Sequence, residues 1–123
     1  MYQITVETMF CAAHALRLAD GSIEPVHEHE WRCAVTVASR QLDEIETVMD
    51  FHDLCAIVDK IVKPFHEGRL NEIEPFSEGR YNPSAERMAW WIGRRTTEQL
   101  PCDVALISVK VGEAPGCTAT YLP

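Results

Sequence analysis

Apolar and polar residues alternate along two stretches in the first third of the chain, and a period of two is typical of strands with one buried face. In the first stretch, residues 2–10, four apolar side chains share one face: Tyr2, Ile4, Val6 and Phe10. The second stretch runs from Trp31 to about Arg40. An Asp-Gly-Ser turn at residues 20–22 lies between them. The chain is therefore predicted to begin with two strands joined by a long connection.

The middle of the chain changes to the period of a helix. Asp50 is a predicted N-cap, and the apolar residues after it are spaced by three and four: Leu54, Ile57, Val58, Ile61 and Phe65. Pro64 is expected to end this helix. After a loop over residues 66–81, Asn82-Pro83 is predicted to start a second helix with proline at its first position, ending near residue 100.

Two more strands are predicted near the end of the chain, over residues 105–111 and 117–122, joined by the turn Ala114-Pro115-Gly116. The order of elements is β-β-α-α-β-β. Two strand pairs and two helices with one apolar face predict an α+β fold, a four-stranded antiparallel sheet with two helices on one face. No linker or repeat divides the sequence, so residues 1–123 are expected to form a single domain.

Composition narrows the class of partner and the compartment. Nineteen acidic and 11 basic residues give a net charge of −8, which argues against sequence-independent binding to nucleic acid or to anionic membranes. The apolar runs are too short to cross a bilayer, and the first residues lack the pattern of a secretion signal. Five scattered cysteines without a C-x-x-C pair favour reduced thiols. We therefore expect a cytoplasmic protein.

Three histidines are the main candidates for chemistry. His27 and His29 are two residues apart at the start of the second strand, so they project from the same face. His14 follows the first strand and continues its phase. Three imidazoles without a fourth protein ligand suit a catalytic zinc, which keeps one position open. The alternative is a pair of solvated histidines and a third in a turn, and the H-x-H pattern alone favours that alternative.

Six short motifs occur in order along nearly the whole chain. They are Phe10-x-Ala12-Ala13-His14, His27-Glu28-His29-Glu30-Trp31, Val48-Met49-Asp50-Phe51, Leu70-Asn71, Asn82-Pro83-Ser84-Ala85-Glu86, and Glu113-Ala114-Pro115 with Tyr121. Each motif alone is weak. Together they resemble the 6-pyruvoyl- and 6-carboxy-tetrahydropterin synthase family, whose fold is the tunnelling fold (T-fold).

The resemblance implies a site and an assembly. Zinc would be held by His14, His27 and His29, and Glu113 would anchor the pterin by accepting from its amino and amide N–H groups. The substrate would be dihydroneopterin triphosphate or a related reduced pterin, whose side chain is eliminated or cleaved after proton abstraction. A trimer-based homo-oligomer, usually a hexamer, would carry its sites between subunits. The alternative for Glu113 is a solvated hairpin residue.

The chain departs from the family pattern where the catalytic bases lie. Ile23 stands at the place of the family's cysteine, while Glu24 fits a variant branch that has glutamate three residues before the first histidine and releases 6-hydroxymethyl-dihydropterin. We hypothesise that Glu24 is the base; otherwise it is a solvated loop carboxylate. His66 and Glu67 take the place of an Asp-His pair in reverse order. They are either a proton relay or surface loop residues.

Two further substitutions bear on the substrate. Glu28 and Glu30 replace a glycine and an asparagine of the family motif, which makes the local potential negative. A triphosphate is therefore expected to bind less tightly than in typical members, unless arginines compensate; the candidates are Arg32, Arg69 and Arg80. Two functions stay open: a zinc enzyme acting on a reduced pterin, and a T-fold zinc protein that binds a pterin- or purine-like ligand without synthase activity.

Overall fold

A computed structural model describes residues 1–123. Its strands are β1 (Tyr2–His14), β2 (His27–Ser39), β3 (Gly68–Arg69), β4 (Ala105–Ala114) and β5 (Cys117–Tyr121), and its helices are α1 (Phe51–Val62) and α2 (Ala85–Thr97). Short 3-10 turns occupy Lys63–Phe65 and Leu70–Glu72. No helix is both long and apolar enough to span a bilayer.

The five strands form one sheet in the order β3-β1-β2-β4-β5. β1 and β2 are antiparallel along their whole length, so that Tyr2 lies opposite Ser39 and His14 lies opposite His27. The predicted α+β fold is confirmed, but the prediction of four strands was wrong by one. The missed strand, β3, has two residues and runs parallel to β1, so the sheet is mixed. Two residues are too few to show an alternating pattern.

Both helices cover one face of the sheet, as predicted. α1 packs on β1 and on α2, while α2 packs on β4 and β5. The alternating residues of β1 and β2 that face the helices are buried, including Phe10, Trp31 and Val35. The rings of Phe10 and Trp31 stack with their centroids 6.0 Å apart. The core therefore reaches to the same end of β1 and β2 at which the three histidines lie.

The two helices differ in how well the sequence predicted their starts. α1 begins after Asp50, whose carboxylate accepts from the backbone N–H of His52, as predicted. α2 begins two residues later than predicted, because Ser84 is its N-cap and accepts from the N–H of Arg87. It ends at Thr97 rather than near residue 100. Asn82 and Pro83 lie before the helix and bond instead to the segment around His14.

Candidate metal centre

The register of β1 and β2 brings the three histidines together. His14 and His27 lie directly opposite each other, and His29 is two residues along β2 on the same face. The ring centroid of His14 is 4.6 Å from that of His27 and 5.2 Å from that of His29. Trp31 closes the core side of the cluster, with its indole 4.9 Å from the His14 ring. The sequence pattern predicted that His27 and His29 share one face of their strand, and the structure adds His14 to them.

Backbone carbonyls determine which nitrogen of each imidazole faces the cluster. His14 Nδ1 lies 2.7 Å from the carbonyl of Pro83, and His27 Nδ1 lies 2.9 Å from the carbonyl of Pro25. A carbonyl oxygen only accepts, so both Nδ1 atoms carry the proton and donate it. In the neutral rings each Nε2 atom then carries no proton and has a free lone pair. They face each other at 3.0 Å, where a cation between them replaces repulsion with attraction.

His29 offers the third nitrogen. Its Nε2 atom is buried and has no hydrogen-bond partner. Burial lowers the pKa of His29, the nearby Glu113 carboxylate opposes that shift, and His27 and His14 add to it. A neutral imidazole with an unpartnered lone pair is the form that binds a metal ion. Buried polar atoms without a hydrogen-bond partner are uncommon in proteins. One physical explanation for such an atom is that it coordinates a metal ion.

Glu113 completes a group of four possible ligands. Its Oε1 atom lies 3.6 Å from His29 Nε2 and 4.0 Å from His14 Nε2. One ligand atom from each of His14, His27, His29 and Glu113 falls within 4.8 Å of all the others. Around a tetrahedral zinc with bonds of about 2.0–2.1 Å, neighbouring ligand atoms are about 3.3 Å apart. The donor types and their spacing therefore fit a metal ion.

Glu24 borders this cluster. Its Oε1 atom lies 3.8 Å from His27 Nε2 and accepts from the backbone N–H of Leu16 at 3.0 Å. The side chain is partly exposed, so one end of the carboxylate is held and the group still faces open space. The neighbouring Ile23 is 62% exposed. Of the predicted bases Glu24, His66 and Glu67, only Glu24 lies beside the histidines within a single chain.

His66 and Glu67 lie elsewhere. They contact each other, with His66 Nε2 3.8 Å from Glu67 Oε1, on an exposed turn at the outer edge of the sheet. His66 Nδ1 accepts from the backbone N–H of Cys11, three residues before His14 and so roughly 10 Å away along the strand. No hydrogen bond or ion pair joins either residue to the histidine cluster of its own chain.

The cysteine of β2 nearest the site does not supply a base. Cys33 is buried beneath the helices, and burial raises the pKa of its thiol to about 12. A thiol with that pKa is almost wholly protonated at neutral pH. Cys33 therefore behaves as a core side chain.

A cavity of about 840 Å³ opens along the exposed face of the sheet and reaches His29 and Glu113. Four carboxylates and two basic groups line it: Glu7, Glu28, Glu30, Glu113, Arg32 and Lys110. The Arg32 guanidinium is already paired with Glu30 at 3.1 Å. The lining of this cavity thus has more carboxylates than basic groups, and neither Arg69 nor Arg80 belongs to it.

Comparison with known proteins places the chain in a family. A model of the family described as 6-pyruvoyl tetrahydropterin synthase matches residues 3–123. The chain belongs to this family. A dihydroneopterin monophosphate aldolase from Pyrococcus furiosus is 34% identical to this chain over 113 residues. The aligned residues cover 90% of this chain and 89% of the relative. A 6-carboxy-5,6,7,8-tetrahydropterin synthase from Synechocystis sp. is 35% identical over 127 residues, which cover 98% of this chain and 93% of the relative.

Solved structures of family members share the fold. The 6-pyruvoyl tetrahydropterin synthase of Caenorhabditis elegans matches with a TM-score of 0.81 at 19% identity, over 100% of this chain and 97% of its own. A Plasmodium vivax 6-pyruvoyltetrahydropterin synthase, with alanine in place of a glutamate that is a catalytic residue, matches with a TM-score of 0.77 at 17% identity. That match covers 98% of this chain and 96% of the other. The T-fold expected from the sequence motifs is confirmed.

Proposed function

We propose that this chain is a zinc-dependent lyase that cleaves the side chain of a reduced pterin, with dihydroneopterin or its monophosphate as the substrate. The observation that carries the proposal is the convergence of three imidazole nitrogens beside a carboxylate, at the end of an open cavity. The relative from Pyrococcus furiosus, a dihydroneopterin monophosphate aldolase, supports cleavage over triphosphate elimination.

Each of the four ligand-type residues has a role in this proposal. His14, His27 and His29 hold the zinc, which when bound acts as a Lewis acid on the hydroxyl oxygens of the substrate side chain. Glu113 accepts from the amino and ring N–H groups of the pterin, a two-point match for a carboxylate. Because His29 and Glu113 line the same cavity, a pterin held by Glu113 would have its side chain beside His29, which contacts the other two histidines.

Glu24 is the proposed base. It takes the proton from the C2′ hydroxyl, C2′ becomes an aldehyde carbon, and the C1′–C2′ bond breaks. The electron pair of that bond passes to C1′, where the dihydropterin ring delocalises it until a proton is returned to that carbon. The products are 6-hydroxymethyl-dihydropterin and glycolaldehyde or its phosphate.

The charge of the cavity supports a preference among substrates. Four carboxylates face two basic groups, one of which is already paired with Glu30. A triphosphate brings several negative charges into this field, whereas dihydroneopterin brings none. The proposed order of binding is therefore dihydroneopterin, then the monophosphate, then the triphosphate.

The assembly is part of the proposal. His66 and Glu67 are exposed and separate from the cluster of their own chain. They can act as a proton relay only where a neighbouring subunit brings them to a site, as in the trimer-based hexamer that the family resemblance implies. Support comes from β5, whose outer edge is left unpaired in the single chain. A hexamer of the 13.9 kDa chain has a mass of about 83 kDa, which light scattering measures directly.

Incubation of the zinc-loaded protein with dihydroneopterin, its monophosphate and its triphosphate tests the reaction. Chromatography separates the hydroxymethyl, pyruvoyl and carboxy pterin products. The proposal expects the hydroxymethyl product, formed least from the triphosphate. A pyruvoyl or carboxy product would contradict cleavage in favour of synthase chemistry. Bound zinc with no turnover of any of the three would favour the ligand-binding T-fold protein instead.

A further inference from the structure

The three residues after His14 follow the end of β1, and the pairing of β1 with β3 does not reach them. Two asparagine side chains take the place of that strand. Asn71 accepts from the N–H of Ala15 at 2.9 Å and donates to its carbonyl at 2.8 Å. Asn82 makes the same two bonds to Arg17, both at 2.9 Å. A side-chain amide has one carbonyl and one NH₂ group, so it pairs with a backbone as a neighbouring peptide does.

The opposite edge of this segment faces the proposed base. Leu16 donates its N–H to Glu24 Oε1 and accepts from the backbone N–H of Glu24, both at 3.0 Å. Backbone groups of successive residues in an extended chain point to opposite edges. Ala15 and Arg17 therefore point to the two asparagines, while Leu16 points to Glu24. The segment over residues 15–17 is held from both sides.

Asn82 differs from Asn71 in its neighbour along the chain. The next residue, Pro83, is buried, and its carbonyl accepts the Nδ1 proton of His14 at 2.7 Å. Asn82 and its neighbour thus contact both ends of the segment from His14 to Arg17: Asn82 bonds to Arg17 through its side chain, and Pro83 bonds to His14 through its carbonyl. Asn71 makes an equal pair of bonds, but no carbonyl next to it contacts an imidazole.

We propose that Asn82 is a positioning residue for His14. By fixing the Asn82-Pro83 backbone against Arg17, it keeps the Pro83 carbonyl where it accepts from Nδ1 and so keeps the Nε2 lone pair aimed at the metal centre. The inference rests on the proposed metal site and does not depend on the reaction. A partner that orients a metal-bound histidine typically contributes 10- to 100-fold to metal affinity.

Asn82→Asp and Asn71→Asp form a matched pair for the test. Each keeps the shape of the side chain, loses the donor to a backbone carbonyl, and gains the same charge. Asn82→Ala and Asn71→Ala repeat the comparison without added charge. Two quantities are measured on the full chain: zinc affinity by competition with a coloured chelator, and the His14 tautomer in the metal-free protein by long-range ¹H–¹⁵N NMR. A thermal melt of each variant checks that it folds.

The expected result is a zinc dissociation constant that rises about 10- to 100-fold in the Asn82 variants, with loss of the single Nδ1–H tautomer of His14. The Asn71 variants lose similar thermal stability but keep the wild-type affinity and tautomer. Equal losses of affinity in both pairs would overturn the proposal and make both asparagines purely structural. An unchanged His14 tautomer in the Asn82 variants would overturn it too. A wild-type protein that binds no zinc refutes the proposed function, and the tautomer of the metal-free protein still decides the role of Asn82.

Discussion

The Nε2 atoms of His14 and His27 face each other at 3.0 Å, and in the neutral rings neither carries a proton, because Nδ1 of each ring donates to a backbone carbonyl. Two neutral imidazoles in this arrangement repel each other. The contact is favourable when a cation lies between the two nitrogens. The arrangement therefore fits a bound cation, and the buried, unpartnered Nε2 of His29 is a third possible ligand atom.

Replacing Glu24 with glutamine is expected to remove the base while keeping the metal. The amide retains the acceptor for the Leu16 N–H but takes no proton, so turnover should fall by about 10²- to 10⁴-fold. Zinc content should stay at the wild-type level. Glu44→Gln is the control, since Glu44 is an exposed glutamate that does not line the cavity. Normal turnover in Glu24→Gln would show that another group is the base.

The two possible roles of Glu113 are separated by Glu113→Gln. If the carboxylate anchors the pterin, the variant loses a charge-assisted pair of bonds, and KM should rise about 10- to 100-fold while zinc stays bound. Glutamine keeps the size of the side chain, so the shape of the cavity is preserved. Zinc content and KM are measured on the same preparation. Loss of the metal would instead show that Glu113 is a fourth ligand, as its distances of 3.6 and 4.0 Å to two histidines also allow.

Thiol reactivity should separate the cysteines by burial. Cys102 and Cys117 are exposed, whereas burial raises the pKa of Cys33 to about 12. At pH 8 a disulfide reagent is expected to label the first two quickly and Cys33 only after unfolding, as mass spectrometry of the labelled peptides would show. The folded state keeps a proton on Cys33 that the unfolded state loses above about pH 9. Cys33 therefore makes the free energy of unfolding decrease as the pH rises through that range. Fast labelling of Cys33 in the folded protein would contradict its burial.

Local signals in the sequence were enough for most of the fold. The alternation in β1 and β2 predicted both strands, and Asp50 predicted the start of α1 because an N-cap depends on residues next to it. The start of α2 was misplaced because Asn82 and Pro83 bond to residues 65 or more positions away. β3 was missed for a similar reason, since its pairing with Ala12 and Ala13 is set by tertiary contacts.

Predicting the site required more than the local pattern of the sequence. Periodicity placed His27 and His29 on one face, but it could not show that His14 lies opposite His27, because strand register is set by packing and connections. The ordered motifs supplied that link through the family resemblance. The role of Asn82 was hidden, since the dipeptide before Ser84 also looks like a helix start. An asparagine with both amide atoms bonded to a distant backbone leaves no periodic signal.

The metal content of the purified chain tests the central claim most directly. After incubation with zinc and removal of the unbound ion, elemental mass spectrometry gives the number of zinc ions per chain. We expect close to one in the wild type and in His52→Ala, whose histidine is 98% exposed and outside the cluster, and close to none in His29→Ala. A wild-type protein without zinc, or a His29→Ala variant that binds it fully, would contradict a metal centre formed by the three histidines.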